Sequence, residues 1–393
     1  MRERKGEAKG ALLKIVILSV SLVTMLNNTI SVSLGSIQEA FPQVSTVKLQ
    51  CLLAYPTLSM TMFILISGIL ISFLGNRVIL LIGLFLYTVS GVLPMFLNDF
   101  QHILISRLVM GIGLGLFFPL SLGLITDFYE GEERVTAMGQ QFAVGNLGQT
   151  IALLATGLLS SINWRYGFLV YGLGGVIFIL VFLFLPEKPA RTTEEKSDKS
   201  VQINGSALCV AAALAFYNMV YIIMHSNLSL VMKSQHIGTS ATVSGSMAFM
   251  TLISTVSGMY FGRLYDRIGE LVGIMSGAAI ACSFGMLIMA DQPWEIYLAL
   301  SLMGLGNALI MPYGYYHTSR VCPPQSAKFC LALTQALLCF GSFASPFVVN
   351  LLRVMLAQDG ERFPFATALA GMGILNIILF FYWMILRKRG GTQ

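Results

Sequence analysis

The sequence predicts an all-α membrane protein: twelve transmembrane helices in two pseudo-symmetric six-helix bundles. Three observations carry that prediction. Of 393 residues, 56% are hydrophobic and 11% charged, whereas soluble domains carry roughly 25% charged residues. Twelve mostly apolar runs each approach the roughly 20 residues that a bilayer-spanning helix needs. The chain also contains one long pattern twice, about 193 residues apart: Met110-Gly111-Ile112-Gly113-Leu114-Gly115-Leu116-Phe117-Phe118-Pro119 and Met303-Gly304-Leu305-Gly306-Asn307-Ala308-Leu309-Ile310-Met311-Pro312. A second pair agrees at nearly the same offset: Gly68 to Gly75 with Ser72 between, against Gly262 to Gly269 with Asp266 between. Two collinear copies of a hydrophobic half point to two halves around one central path, open to the two sides of a membrane in turn.

The runs follow one another with short connections. The first, 11–35, comes after a basic start. It is longer than the apolar core of a signal peptide and eleven more runs follow, so it is expected to be a retained first helix. Runs 49–72, 77–97, 102–126, 135–161 and 167–185 complete the first six. The stretch from Pro186 to Ser200 then holds two prolines and mixed charges with no apolar anchor, and reads as a mobile linker. It sets an N-terminal bundle at 1–185, a cytoplasmic linker at 186–203 and a C-terminal bundle at 204–393. The second six runs lie at 204–231, 241–262, 270–290, 295–319, 329–353 and 363–386. The 38 glycines fit close approach of membrane helices rather than disorder.

Charge placement orients the chain. With the N-terminus cytoplasmic, seventeen Lys and Arg fall on the inner side and five on the outer, with Lys14 and Arg107 inside runs. Both termini are therefore expected in the cytoplasm, in the cell membrane. The net charge of +6 follows from this bias and is no sign of nucleic-acid binding. The six cysteines have no metal-site spacing and read as packing residues. No metal or cofactor is expected, and short loops leave no room for a catalytic or ATP-binding domain. No Walker-type loop is present, so an enzyme is not expected. Uphill work would draw on an ion gradient.

Several motifs resemble the major facilitator superfamily over essentially the whole chain. Gly262-Arg263-Leu264-Tyr265-Asp266-Arg267-Ile268-Gly269 is similar to its Gly-x-x-x-Asp-Arg-x-Gly signature between helices 2 and 3. The first copy keeps Gly68, Gly75 and Arg77 but has Ser72 in place of the acid. The resemblance implies a twelve-helix transporter of the drug and metabolite antiporter branches. It also implies gating turns, at Gly68, Ser72, Gly75 and Arg77 and at Gly262, Asp266, Arg267 and Gly269. In family terms the first-half acid faces the N-terminus of helix 11 and Asp266 the start of helix 5, near Arg134. Arg107-Leu108-Val109-Met110-Gly111-Ile112-Gly113 resembles the family's Arg-x-x-x-Gly-x-Gly motif, which implies a role for Arg107 near helix 1. An arginine inside an apolar span costs at least about 2–3 kcal/mol without partners. The plain alternative is an arginine snorkelling to the outer headgroups.

Departures from the family pattern bear on substrate and direction. Leu26-Asn27-Asn28-Thr29-Ile30 is similar to a Leu-Asp-x-Thr-Ile stretch of drug–proton antiporters, with Asn27 where those have an acid. All eighteen carboxylates fall in loops or at span ends, which argues against a dedicated cation exporter. The helix 5 antiporter motif is degenerate around Gly145-Asn146-Leu147-Gly148-Gln149-Thr150, and Gly341-Ser342-Phe343-Ala344-Ser345-Pro346 on helix 11 approximates it better. Trp164-Arg165-Tyr166-Gly167-Phe168 resembles an exporter element.

Asn27, Asn28, Arg107, Phe118, Tyr217, Asn218, Tyr221, Asn307 and Tyr313 are the candidate substrate-binding residues. Amides and tyrosines can hydrogen-bond and stack on a neutral or amphipathic solute, and interhelical bonding is the equal alternative for each. His225, Glu39 and Asp127 are candidates for titration. Three functions stay open: proton-linked efflux of amphipathic or drug-like solutes, uptake or facilitated diffusion of a small neutral or anionic metabolite, and a non-transporting membrane sensor. The expected partners are a small-molecule substrate, the lipid bilayer and a coupling proton or other ion, with the protein a monomer.

Overall fold

The computed structural model describes residues 14–129, 131–186, 205–322, 327–358 and 360–390, apart from some side chains. The side chains of Ser72, Asp127 and Arg134 lie outside the described residues, as does the stretch 187–204 that holds most of the expected linker. The chain divides into two compact units, Met1–Asp198 and Lys199–Gln393.

In the first unit α1 spans Lys14–Ala40 and tightens to a 3-10 helix over Leu26–Ser33. Helix α2 (Thr46–Leu74) starts at Ser45, whose hydroxyl accepts from Lys48 N. Helix α3 is Asn76–Val92, and α4 (Phe100–Phe128) is capped by Asp99 accepting from Gln101 N. Helices α5 (Gly131–Ile162) and α6 (Trp164–Phe184) complete the unit. Prolines lie inside α2 at Pro56 and α4 at Pro119, which is tolerated where neighbouring groups meet the freed carbonyls.

The second unit holds α7 (Gly205–Ser234), α8 (Ser240–Gly258), a short helix Phe261–Ile268, α9 (Leu271–Met289), α10 (Pro293–Val321), α11 (Ala327–Met355) and α12 (Phe363–Gly390). Helix α10 begins at a capping box of Gln292 and Glu295 with Pro293 in its first turn. Among the described residues, eleven of the twelve long helices are long and apolar enough to cross a membrane. The twelfth, α8, ends at Gly258, short of the expected 262, and is rich in Ser, Thr and Gly. Its hydroxyls bond carbonyls of its own helix, as with Ser246 to Val243 O and Thr251 to Met247 O, so its polarity is satisfied internally.

The repeated glycine pattern has one physical reason in both units. Helix α4 lies between α2 and α3. Gly111 faces Pro56 O and Ser59 Oγ of α2, while a Cβ at Gly113 would stand 2.6 Å from Gly83 O and Tyr87 N of α3. In the second unit Gly304 faces Met250 O of α8, and a Cβ at Gly306 would stand 2.7 Å from Ser276 O of α9. Only glycine admits backbones that close. Large apolar side chains on the outer faces, among them Phe73, Ile151, Phe182, Leu351 and Ile377, are exposed, as lipid-facing residues are.

Candidate functional site

The first unit builds its polar centre around Arg107, which is 0% exposed. Its place on α4 points the guanidinium inward, so the snorkelling alternative does not hold. Nε donates to Leu52 O of α2 at 3.1 Å, and Nη2 donates to Tyr171 Oη of α6 at 3.1 Å and to Asn27 O of α1 at 3.4 Å. Nη1 reaches Met110 Sδ. Cζ also lies 4.8 Å from the centroid of the Tyr171 ring, within the range where a cation is attracted to an aromatic face. None of these partners is a carboxylate.

The acceptor on α1 follows from its backbone. Where the helix tightens at Leu26–Ser33, its carbonyls lose regular i to i+4 partners. Asn27 O is then shared by Arg107 and by Tyr171, whose hydroxyl donates to it at 3.3 Å. Thr29 Oγ1 stands 3.5 Å from the same hydroxyl. Tyr87 packs edge-on against both Tyr171 and Phe117, closing the cluster from α3 and α4. Asn28 is half-buried beside Asn27, with Asn27 Nδ2 3.5 Å from Asn28 Oδ1. Phe118 is half-buried next to the buried Phe117.

In the second unit the candidate residues split into two groups. Tyr217 Oη donates to Asn307 Oδ1 at 2.7 Å, joining α7 to α10, and its ring stacks on Tyr221, which leads on to His225. Asn218 turns to the other side, where Nδ2 donates to Leu338 O at 2.7 Å and to Ser342 Oγ at 2.6 Å on α11. Tyr313 is not part of this group. Its hydroxyl donates to Glu270 Oε2 at 2.8 Å, and the same oxygen stands 2.8 Å from His317 Nε2. Tyr265 Oη donates to Glu270 Oε1 at 2.9 Å. Burial pushes the Glu270 carboxyl up, but hydrogen bonds from His317 and Tyr313, the imidazole charge and the Tyr265 bond together hold it at about 2. Burial and the neighbouring carboxylate push the Tyr265 hydroxyl well above its ordinary value.

Within each expected gating segment the two glycines play different parts. Gly68 lies within α2 and Gly262 within the short helix, and a Cβ at either would meet nothing within 4 Å. The backbone reversal is made by the second glycine of each pair. Gly75 has φ +80 and Gly269 φ +56, and each N–H bonds the carbonyl four residues back. Arg77 donates to Phe182 O at 2.7 Å, near the C-terminal end of α6, where a cation meets exposed carbonyls. Asp266 and Arg267 are exposed, whereas Ser72 lies outside the described side chains. Among the titration candidates, His225 is buried with Nδ1 unpartnered, Glu39 is exposed, and Asp127 lies outside the described side chains.

Sequence reading missed Tyr171, Tyr265 and Glu270. Tyr171 is one aromatic in an apolar run. Glu270 sits at a span end, where a carboxylate looks solvated until His317 and Tyr313 are seen to reach it.

Comparison with known proteins agrees with this architecture. The uncharacterized MFS-type transporter EfpA of Mycobacterium tuberculosis is 29% identical over 199 residues, which is 50% of this chain and 37% of EfpA. The chain thus spans little more than a third of that relative's length. The quinolone resistance protein NorA of Staphylococcus aureus is 22% identical over 326 residues, covering 79% of this chain and 82% of NorA. Among solved structures, a mutant of the nucleoside transporter NupG superposes with TM-score 0.77 at 12% identity, covering 94% of this chain and 99% of that one. A bacterial homologue of the human lysosomal transporter Spinster, inward-facing and occupied, gives 0.75 at 14% identity over 94% and 96% of the two chains. At such identities these structures share the fold. With a family model matching residues 16–346, two six-helix units and a glycine pattern repeated with the same packing role, the chain belongs to the Major Facilitator Superfamily and is a multi-pass membrane protein.

Proposed function

We propose that the protein exports small amphipathic, ring-bearing solutes across the cell membrane by alternating access, driven by an ion gradient, as a monomer with both termini in the cytoplasm. The observation that carries this reading is the chemistry of the buried polar groups. Inside the described spans they are amides, tyrosines, hydroxyls, the histidines His225 and His317, and one guanidinium, Arg107, with no carboxylate partner. Such groups hydrogen-bond and stack on a ring-bearing solute without demanding that it be a cation. The likeness to a quinolone resistance protein over 79% of the chain supports export, as does the Trp164-Arg165 element. The excess of Lys and Arg on one side supports the orientation.

Asn27, Asn28, Phe118, Tyr217, Tyr221 and Asn307 are proposed to meet the solute. Arg107 is a positioning residue that holds the tightened part of α1 through Asn27 O. Asn218 and Tyr313 act through α11 and Glu270. The turns at Gly68, Ser72, Gly75 and Arg77 and at Gly262, Asp266, Arg267 and Gly269 serve as gates. The carboxylate-free Arg107 favours a second reading, uptake of a small anion. Expression of the full chain in a pump-deficient bacterium distinguishes the two. Export predicts lower norfloxacin accumulation that a protonophore restores. Unchanged norfloxacin with growth rescue on a single anionic nutrient selects uptake.

A further inference from the structure

Glu270 carries a charge that no protein cation answers. Its carboxylate accepts from Tyr265 Oη at 2.9 Å and from Tyr313 Oη at 2.8 Å, and it stands 2.8 Å from His317 Nε2. A neutral imidazole with its N–H on Nε2 suffices for that last contact, so none of the three neighbours needs to bring a charge. Helix α9 begins directly after Glu270 and adds the favourable end of its dipole. These neighbours keep the carboxyl ionised, holding it at about 2, without cancelling its charge. Among the described residues no lysine or arginine forms an ion pair with it. Arg263, Arg267 and Arg320 are exposed, and the side chains of Arg387, Lys388 and Arg389 lie outside the described residues.

The carboxylate is reachable and ringed by aromatic side chains. Glu270 is 18% exposed and Tyr316 41%. The Tyr316 ring centroid lies 5.1 Å from that of half-buried Tyr265, which stacks on Phe261 at 5.8 Å. Tyr313 lies 6.5 Å from Tyr265 and 4.4 Å from His317, and Tyr382 of α12 stands 5.8 Å from His317. A Cβ at Gly273 would stand 2.7 Å from the Tyr313 ring, so the glycine lets that ring lie against α9. An aromatic face attracts an ammonium group, and a carboxylate beside it supplies the opposite charge. Phe380 and Phe381, exposed on α12 next to Tyr382, offer apolar surface to a tail. By the repeat, the first unit has Asn76, Ile71, Leu120, Gly123 and Leu124 at the places of Glu270, Tyr265, Tyr313, Tyr316 and His317. Neither the fold nor an aromatic belt at the membrane surface therefore demands this group.

We infer that Glu270 and the tyrosines around it, Tyr265, Tyr313, Tyr316 and Tyr382, bind the ammonium group of an amphiphile, at a site separate from the Arg107 cluster. A free amine and an aminated lipid headgroup both carry that chemistry. The inference goes beyond the export reading and does not need it, because binding is readable without transport.

The test uses the full-length protein in a maltoside detergent, which carries no amine. It is titrated calorimetrically at pH 7 with hexylammonium or with hexan-1-ol, the uncharged counterpart. Hexylammonium is expected to bind about ten-fold more tightly than hexan-1-ol. Glu270→Gln is expected to weaken hexylammonium about ten-fold, as loss of a charge-assisted bond does, and to leave hexan-1-ol unchanged. Tyr316→Leu is expected to weaken hexylammonium about three-fold, whereas Tyr316→Phe keeps an aromatic face and binds as the native protein does. A merely structural role would lower the affinity for both ligands alike. Equal binding of the two ligands, hexylammonium affinity unmoved by Glu270→Gln, or equal loss in Tyr316→Leu and Tyr316→Phe would each overturn the inference. Displacement of hexylammonium by phosphatidylethanolamine, with phosphatidylglycerol inert, makes the occupant a headgroup, and displacement by neither makes it a free amine. Displacement by both alike would mean a lipid surface blind to ammonium, and would overturn the inference too. Absence of any transport by the native protein would sink the export reading and leave these outcomes to decide the ammonium site.

Discussion

At the scale of single residues, the behaviour of Arg107 follows from having no charged partner. Its planar fork serves a carbonyl on α2, a carbonyl on α1 and a hydroxyl on α6 at once. A lysine has one nitrogen on a flexible stem and cannot span the three. Arg107→Lys is expected to keep the charge yet abolish transport, with a lower thermal midpoint in detergent; native transport in that variant would mean that the fork is not needed. Tyr171→Phe removes a hydroxyl that accepts from Arg107 and donates to Asn27 O. Leaving those groups unpaired costs about 1–3 kcal/mol, read as a fall in the unfolding midpoint, and an unchanged midpoint would contradict the described bonds. Arg107 and Asn27 were legible in the sequence because polar residues stand out in an apolar run. Their partners were not: Tyr171 looks like any core aromatic, and the carbonyls of Leu52 and Asn27 leave no trace in the sequence.

Helices and turns show which glycines pack and which bend the chain. Gly113 and Gly306 let α4 and α10 touch their neighbours at backbone distance. Alanine at either is expected to overpack the contact by about 1–3 kcal/mol, whereas Gly68→Ala and Gly262→Ala, facing open space, should leave the thermal midpoint unchanged. Equal destabilisation by all four would refute the packing assignment. Any transport defect in the latter pair would then be a defect of motion. Gly75→Ala meets a different obstacle, a backbone at φ +80 that L-residues rarely adopt. The repeated motif was legible as repetition alone. That Gly111 and Gly113 face different helices follows from their angular separation on α4, but the identity of the neighbours needs the fold. The broken end of α8 at Gly258 was hidden, because apolar residues continue through Met259, Tyr260 and Phe261 into the short helix.

At the scale of the whole molecule, the twelve helices and two halves were legible because bilayer physics admits little else for such a composition. The departure from symmetry was not legible, since Glu270 and His317 are 47 residues apart in sequence and meet only once α9 and α10 pack. The pair also gives the protein an acid limit. Glu270 is held at about 2 against an ordinary 4.5, so the stability it contributes is present above its ordinary value and lost as pH falls through about 2. The midpoint difference between the native protein and Glu270→Gln is therefore expected to hold between pH 5 and pH 7. Its collapse within that window would contradict the bonds drawn to the carboxylate. The claim that most needs a direct measurement is that a family fold with no buried carboxylate among its described residues still performs gradient-driven export. The full chain reconstituted in proteoliposomes, loaded with norfloxacin on one side and given an imposed pH gradient, measures it. Coupled export predicts that norfloxacin moves against its own gradient toward the acidic compartment, and that movement stops when an ionophore collapses the pH difference. Equilibration at the same rate with and without the gradient would contradict it.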